Sequence, residues 1–178
     1  MDIKNFTCRQ LDSGYILPRF SALDHLRELQ IDRLELSSFM PDIKQYFGHL
    51  APTLKSLSLA HPIASRREIL YFIGLFPSLQ DFILWFPHDL NAETAASSAL
   101  VPLSRPPLRG RLSLAHFGGR EFVKDMITFH GGLRFRRIEL ISMGCVHQVL
   151  ETCVETLEIL RLHSTEQGEN SFGWKGKD

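Results

Sequence analysis

The stretch that decides the fold is LSLAH, which occurs at Leu57–His61 and again at Leu112–His116. The two copies lie 55 residues apart, so a unit of half that spacing predicts a further copy near residue 84. The chain there reads SLQDFIL, with Leu79, Phe82 and Leu84 in an LxxLxL frame. The same frame fits Leu26, Leu29 and Ile31; Leu54, Leu57 and Leu59; Phe135, Ile138 and Leu140; and Leu157, Leu160 and Leu162. A looser match opens the chain at Ile3, Phe6 and Cys8. The second LSLAH joins through Leu112 and Leu114, although Arg109 stands at its first anchor and Leu108 sits one residue early. The middle anchors are therefore 6, 29, 57, 82, 112, 138 and 160, with steps of 22 to 30 residues. Recurrence at such a period marks a stack of similar units, each too small to bury its own apolar face.

Within each frame apolar and polar residues alternate, as in a half-buried strand. The gaps read as helices. Ser65-Arg66-Arg67-Glu68 has the form of a capping box, followed by Ile69, Phe72, Ile73 and Phe76 on one helical face and by Pro77 as a stop. Met40, Ile43, Phe47 and Leu50 line another helix, with Pro41 in its first turn. Phe122, Val123, Met126, Ile127 and Phe129 line a third, closed by Gly131-Gly132, and Val146, Val149, Leu150 and Cys153 a fourth. Pro87–Pro107 has no steady period and reads as an irregular loop with a helical turn near Ala92–Leu100. The expected fold is an α/β, leucine-rich-repeat-like solenoid over residues 1–163, of about seven irregular repeats. Parallel strands line its concave side and helices its convex side; residues 164–178 form a polar, disordered tail.

Composition narrows the class of function. Of 178 residues 44% are apolar and 22% charged, which is globular rather than disordered. The formal net charge is zero, against a whole-protein attraction to nucleic acid or an anionic membrane. The longest apolar run, Ile69–Phe76, is far shorter than the ~18 residues of a membrane span. Three cysteines without a CxxC spacing argue against a disulfide framework and suit a reducing, cytoplasmic or nuclear compartment.

Several stretches, HLAPTLKSLSLAHP, EILYFIGLFPSLQDFIL, PPLRGRLSLAHFGG, GGLRFRRIEL and CVETLEILRLH, resemble the leucine-rich-repeat-like region of fungal F-box proteins. The resemblance covers most of residues 20–163 and carries no catalytic motif. It implies a substrate-receptor region, in which an F-box grips a Skp1-type adaptor of a cullin ubiquitin ligase and the repeats hold a target. Two departures stand beside it. No helical F-box precedes the first strand at Ile3, so the chain reads as a fragment, and the adaptor is expected as a partner only if an F-box lies upstream. The ninth repeat position, often Asn or Cys, is here Leu11, Leu34, Pro62, Pro87, Phe117, Met143 and Thr165.

Candidate chemistry is sparse. His61 and His116 recur at equivalent positions but two strand spacings apart, about 10 Å, too far to share a metal, and they read as strand-end turn residues. Cys145 and His147 diverge at a helix start, and Cys153 belongs to a buried stripe. Gly118-Gly119 lacks the surroundings of a phosphate loop and reads as a tight turn. No set of acid, base and nucleophile converges, so neither an enzyme, a cofactor nor a metal is expected.

The concave face is the informative surface. Its outward rows are Asn5, Glu28, Ser56, Asp81, Arg111, Arg137, Ile159; then Thr7, Gln30, Ser58, Ile83, Ser113, Glu139, Arg161; then Arg9, Asp32, Ala60, Trp85, Ala115, Ile141, His163. Trp85, with alanines on both sides, and Ile83 and Ile141 are the expected apolar contacts, and Arg111 and Arg137 the pair that holds an acidic group. Residues 105–137 hold eight basic side chains against two acids, which suits an acidic or phosphorylated partner. The expected function is therefore a non-catalytic protein-binding module. The rival readings are a stand-alone repeat scaffold or inhibitor, and a nucleic-acid or phospho-ligand binder using the basic half.

Overall fold

The computed structural model describes residues 5–8, 23, 25–85, 108–115, 120–129, 133–141 and 146–163. Expectations for Ile3, the 87–107 loop, His116, Gly118-Gly119, Gly131-Gly132, Cys145 and the 164–178 tail lie outside these residues.

Among the described residues the chain is α/β, with one all-parallel sheet of seven strands in chain order. The strands are β1 (Asn5–Cys8), β2 (Glu28–Asp32), β3 (Ser56–Ala60), β4 (Asp81–Trp85), β5 (Leu108–Ala115), β6 (Leu133–Ile141) and β7 (Ile159–His163). Each LxxLxL frame supplies one strand. The middle anchors pair across the whole sheet, Phe6 with Leu29, then Leu57, Phe82, Leu112, Ile138 and Leu160. This register follows from the side-chain period of two, because a one-residue slip would turn every buried anchor toward water.

Among the described residues, helices connect β2 to β3, β3 to β4, β5 to β6 and β6 to β7, and they touch one another in chain order. α1 (Leu36–Phe39) contacts α3 (Arg66–Gly74), α3 contacts α4 (Arg120–Phe129), and α4 contacts α5 (Val146–Cys153). Their buried side chains, among them Phe39, Ile69, Phe72, Ile73, Phe122, Val123, Met126, Val149 and Cys153, join the inward strand residues in one core. α2 (Ile43–Phe47) adds Phe47, whose ring meets Phe72 edge-on at 5.0 Å; Phe72 in turn meets Phe76 at 5.2 Å. Such T-shaped pairs set the positive edge of one ring against the negative face of the next.

The capping box at the start of α3 is complete. Ser65 is extended, its hydroxyl accepts from the Glu68 amide at 3.3 Å, and its own amide donates to Glu68 Oε2 at 2.7 Å. Ser37 Oγ donates to the same carboxylate oxygen at 3.3 Å, so α1 and α3 share this buried acid. Ser65→Ala removes the hydroxyl and leaves the Glu68 amide unpartnered. Chemical denaturation is expected to find a loss of about 1 kcal/mol, and an unchanged midpoint would exclude the cap as a source of stability.

The helix expected over Met40–Leu50 is broken up. α1 ends at Phe39, Met40–Asp42 form a turn, α2 follows, and Gly48–Leu50 is a 3-10 turn. Pro41 therefore stands in the turn ahead of α2 rather than in a first helical turn. It has no amide hydrogen to give Ser37, and its ring opposes helical continuation. The apolar face nevertheless remains inward, with Ile43, Phe47 and Leu50 buried and Met40 packed against the core. Phe76, placed by its spacing on α3, lies just past the helix end, where its amide donates to Ile73 at 3.1 Å.

The irregular frame around Arg109 is resolved by a bulge. Leu108 is buried opposite Leu133, and Gly110 pairs with Phe135; the next pair is Arg111 with Arg137, which leaves Arg136 as the extra residue on β6. Gly110 has φ of +90° and lies against the Gln80 carbonyl, which accepts from the Arg111 amide at 2.9 Å. Arg33 and His61, each just past a strand, also adopt the left-handed conformation, with φ of 59° and 50°. Their amides donate to the last carbonyl of the next strand, Ala60 at 2.8 Å and Trp85 at 2.9 Å. His61 is thus a strand-end turn residue, as its place in LSLAH implies.

Candidate functional site: the open face of the sheet

Outward side chains leave the sheet in straight rows because the strands share one register. Asp81, Arg111, Arg137 and Ile159 are consecutive in one row, Ile83, Ser113, Glu139 and Arg161 in the next, and Trp85, Ala115, Ile141 and His163 in the third. The alternation of the sequence therefore places all five expected contact residues, Ile83, Trp85, Arg111, Arg137 and Ile141, on one surface.

The apolar part of that surface is less open than its composition implies. Ile83, Trp85 and Ile141 are part-buried. Between them Ser113 is only 4% exposed and Ala115 only 1%. These small residues lie beside larger ones in their rows, Ile83 and Glu139 flanking Ser113, Trp85 and Ile141 flanking Ala115. Tall neighbours one strand spacing away screen a short side chain even on the outward face.

The charged part is rearranged relative to the expectation. Arg111 and Arg137 are adjacent, but Arg111 is engaged: its Nη2 donates to Glu139 Oε2 at 2.8 Å. The second oxygen of Glu139 lies 3.2 Å from His163 Nε2. Both carboxylate oxygens thus have partners on the flanking strands. Arg161 is directly opposite Glu139 in the register, yet no ion pair joins them. Arg137 and Arg161 have no hydrogen-bonded or ionic partner among the described residues. Together with Arg111, Ile138, Glu139 and Ile159 they line a shallow cleft of about 90 Å³. Sequence reading placed Glu139, Arg161 and His163 in these rows without a role. The diagonal spacing of Arg111 and Glu139 was the available signal, because residues two apart on adjacent strands come within reach of long side chains.

The described basic side chains of the 105–137 stretch do not form one patch. Arg136 is turned to Glu158, 3.3 Å away, and Lys124 belongs to the helical layer. Arg109 and Arg134 oppose one another at the start of β5 and β6, and both are exposed.

Three further titratable groups among the described residues, His61, His147 and Cys153, lie in these surroundings. His61 Nδ1 lies 2.9 Å from Asp32 Oδ1, an exposed pair between two strand ends. His147 is exposed beside Glu151. Burial pushes the Cys153 thiol up, and a backbone hydrogen bond with Phe135 opposes this only in part. A nucleophilic cysteine needs the opposite shift. Among the described residues no three His, Cys, Asp or Glu side chains are placed to hold a metal ion. Among the same residues no helix is long and apolar enough to cross a membrane. No family model, curated protein or solved structure matches this chain.

Proposed function

We propose that the chain is a leucine-rich-repeat-like solenoid that binds another protein on the open face of its sheet, without catalysis, as the target-recognition region of an F-box-type ubiquitin-ligase receptor. The observation that carries the binding reading is the common register of the outward rows. It sets the part-buried Ile83, Trp85 and Ile141 beside the exposed Arg137 and a cleft lined by arginines. Aromatic and arginine side chains grouped in this way are the usual anchors of a protein interface. The order of the strands and the period of the frames support the solenoid. The ligase assignment rests on the phrase-level resemblance of the sequence. A Skp1-type adaptor enters the assembly only through an F-box ahead of these residues.

The test uses two substitutions on the open face. Trp85→Ala and Arg137→Glu are each expected to weaken capture of protein partners from a cell extract about tenfold or more, with melting unchanged. Undiminished capture by both variants would remove the open face as the binding surface. Binding that survives Trp85→Ala but collapses between low and moderate salt would instead indicate nucleic acid held through its phosphates.

A further inference from the structure

The last strand of the sheet is one of its two edges. β7 pairs with β6 on one side and has no neighbour on the other among the described residues. Its inward residues Leu160 and Leu162 continue the rows of Ile138 and Leu140, which are buried. Yet Leu160 is 38% exposed and Leu162 56%. The outward residue between them, Arg161, has no counter-ion among the described residues, Glu139 beside it being taken by Arg111 and His163. An open backbone edge, two uncovered leucines and an unpaired cation thus alternate along five residues.

From this alternation we infer that β7 accepts an added strand from a protein partner, an extended segment with an apolar–acidic–apolar core centred on Arg161. Main-chain hydrogen bonds to a free edge supply affinity, and the alternate side chains supply specificity. The added apolar residues lie over Leu160 and Leu162. The acidic residue meets Arg161; one strand further in, Glu139 lies directly opposite Arg161, already bound by Arg111 and His163, and Arg137 lies diagonally to it. Because Arg161 is the middle residue of β7, the pattern holds for either strand direction. A second copy of the chain fits poorly. Antiparallel pairing of two β7 strands about their centres would set Arg161 against Arg161, a destabilising like-charge pair. A parallel pairing of the two would not form a closed dimer. Arg161 also lines the cleft of the open face, but the inference rests on the backbone edge and on Leu160 and Leu162, which the open-face reading does not use.

The probe is the capped peptide Ser-Thr-Ile-Glu-Leu-Thr-Ser, compared with the same peptide carrying lysine in place of glutamate. Titration is followed by the backbone amide resonances of the whole chain. The glutamate peptide is expected to shift and protect the amides of Ile159–His163. The lysine peptide should bind about tenfold more weakly. Arg161→Glu should reverse that order, and Leu162→Thr should weaken both peptides; both side chains are exposed, and because Arg161→Glu faces Glu139, the melting of each variant is measured beside its binding. Failure of the glutamate peptide to bind, or equal affinity for both peptides in the unmutated chain and in Arg161→Glu, overturns the inference. So does a dimer in sedimentation that shields these amides and excludes the peptide, which assigns the edge to a second copy. A monomer with the same amides already protected and no peptide binding also overturns it, and gives the edge to other residues of this chain.

Discussion

Phe72→Ala should destabilise the protein by about 3–5 kcal/mol, the usual cost of emptying a phenylalanine site in a packed core. Phe72 is fully buried in α3. Its ring meets Phe47 on one side and Phe76 on the other, both edge-on. Truncation removes transfer free energy, leaves a cavity, and dissolves both ring pairs at once. Phe47 comes from α2 and Phe76 from the segment leading to β4, so neither can follow into the space without moving its own element. For a chain of this size the loss corresponds to a fall in melting temperature on the order of 10 °C. Phe72→Leu keeps much of the volume and should lose markedly less. Equal melting of Phe72→Ala and the unmutated chain would mean that the aromatic stack is not part of the cooperative core.

Gly110→Ala is the second large effect, and its cause is the backbone. At φ of +90° an L side chain is strained, and a Cβ at Gly110 would land on the Gln80 carbonyl oxygen, 2.7 Å from its carbonyl carbon. β4 and β5 would have to separate where the Arg111 amide bonds Gln80. A loss of at least ~2 kcal/mol is expected, since conformational strain alone costs roughly 1–3 kcal/mol. Gly48 is the matched control. Its φ is −61° and nothing lies within 4 Å of a Cβ added there. Gly48→Ala should be neutral or stabilise by up to about 1 kcal/mol. If denaturant midpoints of the two variants moved together, the left-handed backbone and close approach at Gly110 would not be the source of the effect.

These two sites mark the boundary of what the sequence makes legible. Phe72 is recognisable from its place on an apolar helical face behind a capping box. Gly110 is not, because its requirement comes from Gln80, thirty residues earlier and just ahead of β4. The frame around Arg109 looked one residue out of step. The bulge that absorbs the extra residue lies on β6, at Arg136, and shows only once the strands are paired.

The sequence by itself determined the strands, their order of anchors and the side each residue faces, because alternation with a period of two is local and a slip exposes every anchor. It determined the cap at Ser65 and Glu68, whose partners are three residues apart. It also contained the break at Pro41, since the missing amide is a property of that residue alone, although the helical reading passed over it. Only the tertiary structure decided that Arg111 is spent on Glu139 while Arg137 and Arg161 have no partner among the described residues. It alone decided that Ser113 and Ala115 are screened and that Leu160 and Leu162 are not. The physical reason is common to all of these. A side chain's face is set by its own backbone, but its partner and its cover come from strands 22 to 30 residues away in the chain.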